Sequence, residues 1–139
     1  MFVIDTLNVA VKQSTILLKE IYRMNKDNLT VKIYTSRDEM GKDAASQISD
    51  CIRSLLSEKP YINMIFAAAP SQNEMLHYLC LDDKIEWNRI NAFHMDEYIG
   101  LPSDAPQGFG NFLKQHIFDK KPFRTGDIIK SDIDILNAQ

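Results

Sequence analysis

Two groups of residues in this chain have types and spacing that could do chemistry. Both follow a stretch that reads as a β-strand. The first is Asp96-Glu97. Successive residues on an extended chain point to opposite sides, so one carboxylate can face a cleft while the other anchors structure. A cleft carboxylate is a common base for removing a proton next to a carbonyl. The second is the turn Ala67-Ala68-Ala69-Pro70-Ser71-Gln72. A strand that passes through small residues into a capped helix leaves N–H groups pointing at one spot. The helix dipole favours an anion there, and Ser71 could add its hydroxyl to a phosphate oxygen.

Each group also has a plainer reading. Ser71 and Glu74 have capping-box spacing, so Ser71 could serve only its own helix. Glu74 also works against an anion, by charge. Asp96 could bond to N–H groups of its own loop, as loop-start carboxylates commonly do. His94, two residues before Asp96, could orient a ligand or be a hydrogen-bonded structural histidine. His77 and His116 fall on helical patterns, and three scattered histidines make no metal cluster. The two cysteines, Cys51 and Cys80, have neither metal-ligand spacing nor a nucleophile's setting. Both are expected as buried free thiols in a reducing compartment.

The elements that must position these residues alternate between helix and strand. Leu7, Val11, Leu18, Ile21 and Tyr22 predict a helix over 5–24, stopped by Asn25-Lys26-Asp27-Asn28. Leu29 to Thr35 alternates as a strand does. Ser36 and Glu39 open the next helix as a capping box, and Met40, Ala44, Ile48, Ile52 and Leu55-Leu56 form its apolar stripe up to Pro60. Tyr61 to Ala69 is nearly unbroken apolar sequence and reads as a central parallel strand. A helix over 71–81, a strand over Ile90–Met95, a polar loop from Pro102 to Gly108 and a helix over Asn111–Phe118 follow. Ile128-Ile129 suggests a last short strand. The repeated strand–helix–strand order predicts an α/β fold: an open, mostly parallel, Rossmann-like sheet with helices on both faces, here incomplete. In such sheets ligands bind beyond the carboxyl ends of the strands, where both candidate groups fall.

Composition narrows the classes. The chain has 139 residues, one domain by length, with 45% hydrophobic and 25% charged residues, which are ordinary globular values. Net charge is −3, so no positive excess exists to hold nucleic acid or an anionic membrane. The start lacks a signal-peptide pattern, and no apolar run approaches the roughly 20 residues of a membrane span. The expected location is cytoplasmic. No internal repeat appears.

The run Phe93-His94-Met95-Asp96-Glu97-Tyr98-Ile99-Gly100-Leu101-Pro102 resembles the Met-Asp-Glu-Tyr-x-Gly-Leu-Pro signature of glucosamine-6-phosphate deaminases (isomerases), within the 6-phosphogluconolactonase-like superfamily. Phe109-Gly110-Asn111-Phe112-Leu113 resembles that family's next helix, and the Ser71 turn stands where its phosphate loop does. The similarity covers about 29–139, the first half of a family member, with 1–28 as a helical extension. The resemblance implies conversion of glucosamine 6-phosphate to fructose 6-phosphate and ammonia. Asp96 would be the base moving a proton between C2 and C1. Ser71, Gln72 and the Ala69 neighbourhood would hold the phosphate, with His94 near the substrate. Glu97 is left structural. No metal or organic cofactor is implied, and the expected partner is a small sugar phosphate, with a homo-oligomer possible.

Three departures matter. The family's glycine-rich loop is here Ala68-Ala69-Pro70-Ser71-Gln72. Its usual Asn two before the base is His94. Its second catalytic segment, Gly-x-Gly-x-Asp-Gly-His with Phe-Asn-Glu-Pro, occurs nowhere in the chain. The expectation is therefore a fragment or truncated form that is inactive in isolation and prone to self-association through an exposed sheet edge. Two alternatives remain at this level: a 6-phosphogluconolactonase-like hydrolase, and a sugar-phosphate-binding sensor without catalysis.

Overall fold

A computed structural model describes residues 20–27 and 29–129. The elements run β1 (Glu20–Lys26), β2 (Leu29–Tyr34), α1 (Arg37–Glu58), β3 (Ile62–Phe66), α2 (Asn73–Leu81), β4 (Ile90–His94), α3 (Phe109–Leu113) and β5 (Thr125–Asp127). A 3-10 turn at Pro70–Gln72 precedes α2, another at Trp87–Arg89 precedes β4, and α3 continues as a π-helical turn over Lys114–Phe118.

The chain opens differently from the sequence expectation. Glu20–Lys26 is a strand, not the end of a helix, and it pairs antiparallel with β2. The rest of the expected 5–24 helix lies outside the described residues. Tyr22 faces Ile33 and Met24 faces Val31 across the hairpin, pairs that suit β-branched and aromatic side chains. Asp27, at φ 54°, sits in the two-residue connection, a left-handed position that Asp tolerates.

α1 begins as expected. Ser36 is its N-cap, and the Ser36 hydroxyl oxygen accepts from the Glu39 N–H. The Glu39 carboxylate bonds to the Thr35 hydroxyl rather than closing the box. The buried stripe is Gly41, Ala45, Ser49, Ile52 and Leu56: Ile52 and Leu56 are as expected, its first half lies one position on from Met40, Ala44 and Ile48, and Met40 and Leu55 stay exposed. The stripe starts with small residues because α2 crosses close there. A Cβ on Gly41 would lie 2.5 Å from Glu74 Cβ and 2.9 Å from the Met75 backbone N.

β3 and β4 are parallel, joined through α2, and β5 adds on the far side of β4, giving the order β3-β4-β5. This is the open parallel α/β sheet the sequence predicts. Within the described residues β4, not β3, is the central strand. The last strand falls at 125–127 rather than at Ile128-Ile129. Ile62, Phe66, Ile90 and Ala92 share one sheet face and form a single core with Ile52, Leu56, Leu76, Leu79, Leu113 and Ile117 from the helices. Phe66, Phe118 and Phe123 pack edge to face at 5.5–5.7 Å inside it. The other face carries the Asn63–Asn91 hydrogen-bonded pair, Phe93, and Ile65, which is 66% exposed. Cys51 is exposed rather than buried, and Cys80 is half-buried with its thiol pushed up by burial.

In an open helical position, Gly→Ala stabilises by up to about 1 kcal/mol. Gly41→Ala is expected to do the opposite, costing about 1–3 kcal/mol by overpacking against α2. Urea unfolding checks the sign; a stabilised variant would refute the close crossing.

Candidate active site at the strand ends

The β3–β4 ladder sets the site. Ile65 pairs with Phe93 and Phe66 with His94, and the Met95 N–H donates to the Phe66 carbonyl at 3.0 Å. The two chains therefore leave the sheet side by side. One continues through Ala67–Ala69 into the Ser71 turn, and the other through Met95 to Asp96. Both candidate groups lie at the same carboxyl edge, and Ser71 and Asp96 are both exposed there.

The turn is not the capping box expected. Ala69 is extended, the Gln72 N–H donates to the Ala69 carbonyl at 2.9 Å, and α2 starts at Asn73 without a side-chain cap. The Ser71 side chain therefore does not cap α2. Glu74 does not turn back to Ser71 either. Both its oxygens accept from Arg37 at the start of α1: Nε to Oε1 at 3.1 Å and Nη2 to Oε2 at 2.9 Å. Arg37 Nη2 also donates to the Pro70 carbonyl at 3.1 Å. These hydrogen bonds hold the Glu74 carboxyl below its ordinary value. Ala67, Ala68, Ala69 and Gln72 are half-buried around the turn.

The carboxylate pair divides its work. Glu97 turns inward. Its Oε1 accepts from the Tyr98 N–H at 3.0 Å and the Phe109 N–H at 3.0 Å, and its Oε2 from the Gly110 N–H at 2.9 Å. Two of these donors open α3, whose first N–H groups have no partner inside the helix, and the carboxylate suits the positive helix end. Burial raises the Glu97 carboxyl pKa, but the three N–H bonds outweigh it and the group titrates below the ordinary carboxylate value. A Cβ at Gly110 would lie 2.8 Å from Ile128 Cγ2, which explains a glycine there. Asn111 Nδ2 donates to the Ser103 and Ala105 carbonyls at 2.8 Å each, fastening the polar loop to α3. Among the described residues the Asp96 side chain makes no hydrogen bond, beside a fixed neighbour.

His94 is only 5% exposed, and neither ring nitrogen has a hydrogen-bond partner among the described residues. Its ring packs near Gly110 rather than opening to solvent with Ser71 and Asp96. Burial lowers its pKa, and the Glu97 and Asp96 carboxylates oppose that. His77 is exposed, and His116 stacks on Phe112 at 3.9 Å with Nδ1 2.7 Å from the Phe112 carbonyl. Behind Glu97 a cavity of about 300 Å³ is lined by Leu101, Ser103, Asn111, Lys114 and Ile128; Asp96 and Ser71 are not in its wall. Among the described residues no cluster of three or more His, Cys, Asp or Glu could hold a metal ion. No described helix is long and apolar enough to cross a membrane.

Comparison with known proteins agrees with the resemblance in the Asp96 signature. The chain is 30% identical over 109 residues to glucosamine-6-phosphate deaminase of Pectobacterium atrosepticum, covering 75% of this chain and 39% of that protein. It is 35% identical over 57 residues to the deaminase of Lactobacillus helveticus, covering 41% of this chain and 24% of that one. No protein-family model matches the chain. The fold is similar to a 6-phosphogluconolactonase from Shewanella baltica, with a TM-score of 0.57 and 13% identity over 69% of this chain and 42% of that one. It is also similar to a monomeric glucosamine-6-phosphate deaminase, with a TM-score of 0.50 and 18% identity over 73% of this chain and 45% of that one. The chain thus resembles the deaminases in sequence and these solved structures in fold, and it spans less than half the length of each of these proteins.

Glu97 yields a prediction with a definite sign. Its folded-state pKa is lowered, so its contribution to stability is full above the unfolded value near 4.3 and is lost as pH falls through the folded value. Glu97→Gln is expected to flatten the stability profile in that acid range and to lower stability at neutral pH by about 1–3 kcal/mol. Denaturant midpoints from pH 3 to 7 check it; an unchanged slope below pH 5 would remove Glu97 as the anchor.

Proposed function

We propose that this chain is the base-bearing, phosphate-binding part of an amino-sugar-phosphate deaminase/isomerase. The observation that carries the reading is the parallel register, which brings the small-residue Ser71 turn and the free carboxylate of Asp96 to one edge of the sheet. The curated relatives named above are deaminases, which supports this chemistry for the complete protein.

In the proposed reaction the 6-phosphate of open-chain glucosamine 6-phosphate sits on the Ser71 hydroxyl and the Ser71 N–H, beside Ala69 and Gln72. Asp96 takes the proton from C2 while the substrate's own ammonium group gives a proton to O1, forming an enol-type intermediate, and Asp96 then returns its proton to C1. The resulting C2 iminium is hydrolysed by water to the ketone of fructose 6-phosphate, releasing ammonia. Glu97 holds the backbone beside Asp96. His94, buried two residues away, supports the strand end under the substrate. No step requires a metal or organic cofactor. The setting is cytoplasmic, with the sugar phosphate as partner and self-association through the exposed sheet face.

The 109 matched residues span 39% of the Pectobacterium relative and the chain lacks the family's second catalytic segment, so the reading includes a fragment that is inactive or nearly so when isolated. Residues 29–139 form its deaminase-like part and 1–28 precede it. The likeness to a 6-phosphogluconolactonase keeps one second reading, hydrolysis of a sugar-phosphate lactone. The free Asp96 favours the deaminase, because a proton shuttle needs that acid.

The intact mass of the native protein in its source cells comes first, and assays then use that species. Asp96→Asn is expected to lower kcat for ammonia release about 10²- to 10⁴-fold with little change in KM. Unaltered turnover would exclude Asp96 as the base, and hydrolysis of 6-phosphogluconolactone without ammonia release would favour the lactonase. The isolated 139-residue chain is expected to bind the sugar phosphate but release little ammonia; turnover at an ordinary enzyme rate would defeat the fragment reading.

A further inference from the structure

The Ser71 turn carries a charge problem. Glu74 lies in the first turn of α2, where a carboxylate would repel a phosphate brought to the preceding N–H groups. We propose that Arg37 is a positioning residue that makes this turn competent for an anion, by neutralising Glu74 and drawing its carboxylate to α1. The inference rests on the phosphate reading of the Ser71 turn and deepens it.

Three observations carry it. The Arg37–Glu74 contact is bidentate, with Nε on one oxygen at 3.1 Å and Nη2 on the other at 2.9 Å, so both carboxylate oxygens are engaged. The same Nη2 reaches the Pro70 carbonyl at 3.1 Å, which keeps the guanidinium at the turn itself. In a trans peptide the carbonyl and the next N–H point opposite ways, so fixing the Pro70 oxygen on Arg37 aims the Ser71 N–H away from Glu74's partner.

The contact is also built into the helix packing. Gly41 lets α1 approach α2 at Glu74, and one turn further along α2 the Tyr78 hydroxyl lies 2.9 Å from both oxygens of Asp38. Arg37 is more than half exposed, and pairs so exposed contribute little to stability. The consequence of the pair is therefore local charge and geometry, not fold stability. Glu74 titrates below its ordinary value, so it is ionised at neutral pH and needs a cation rather than a proton to silence it.

Inorganic phosphate and glucosamine 6-phosphate are titrated calorimetrically, at low fixed salt, into the wild-type chain, Ser71→Ala, Arg37→Gln, Glu74→Gln and the Arg37→Gln/Glu74→Gln double variant. Arg37→Gln is expected to weaken phosphate binding about tenfold, because an uncompensated carboxylate then faces the anion. The double variant is expected to recover most of that loss, which a merely structural role would not produce. Thermal midpoints of all variants are expected within a few degrees of wild type.

Arg37→Gln binding as tightly as wild type, while Ser71→Ala binds weakly, would overturn this inference and leave the phosphate reading standing. A double variant no tighter than Arg37→Gln alone would also overturn it. If wild type binds no phosphate, or Ser71→Ala binds as wild type does, the phosphate reading fails and the inference fails with it.

Discussion

The pairing of β3 with β4 is the constraint on which the site depends. A parallel ladder cannot be closed by a tight turn, so the chain must leave β3, cross over through α2 and re-enter at β4. That requirement puts the beginning of the crossover and the end of β4 at one edge of the sheet. The Met95 N–H to Phe66 carbonyl bond extends the ladder to the point where the strands diverge. Ser71 and Asp96 are 25 positions apart in sequence, yet the register fixes them on the same rim. No side-chain contact between them is needed.

At both edges of the sheet, backbone groups that the elements cannot satisfy are met by side chains from far away in sequence. α1 has no basic residue in its last turn. Arg89 supplies one from the turn before β4, donating to the carbonyls of Leu56 at 2.7 Å, Lys59 at 2.6 Å and Pro60 at 2.9 Å. α3 lacks a side-chain N-cap on its own first residue, and Glu97 serves it across the polar loop. The start of α2 is treated differently. No side chain caps it; the Ala69 and Pro70 carbonyls of the preceding 3-10 turn accept from the Gln72 and Asn73 N–H groups, and Glu74 in its first turn is paired with Arg37.

Much of this was legible in the sequence. The apolar run 61–66, the alternation of elements and the Asp96 signature give the sheet, its parallel sense and the site's edge. Alternation said that one of Asp96 and Glu97 would anchor structure, and the structure shows that it is Glu97. What sequence reasoning missed was non-local. The Ser71–Glu74 spacing matches a capping box, but the box is not formed because Arg37 offers Glu74 a charged, bidentate partner. The hairpin was missed because Ile21 and Tyr22 fit a helical stripe as well as a strand; Asn25 and Lys26, which read as part of a helix stop, end β1, and Asp27 follows at a left-handed φ. The first half of the α1 stripe was read one position off because Gly41 and Ser49 carry no hydropathic signal, and their burial comes from the close approach of α2.

The sheet and the site differ in how far they are self-sufficient. Strands of a parallel sheet are normally covered on both faces, yet Ile65 is 66% exposed and Phe93 only half-buried on the face away from the described helices. The site does not share this incompleteness. The Ser71 turn is held by Arg37 and the Ala69–Gln72 bond, and the backbone at Asp96 by Glu97 and the ladder, all within the described residues. The geometry at this edge therefore rests on contacts complete within the described residues, independent of whatever covers the other face of the sheet.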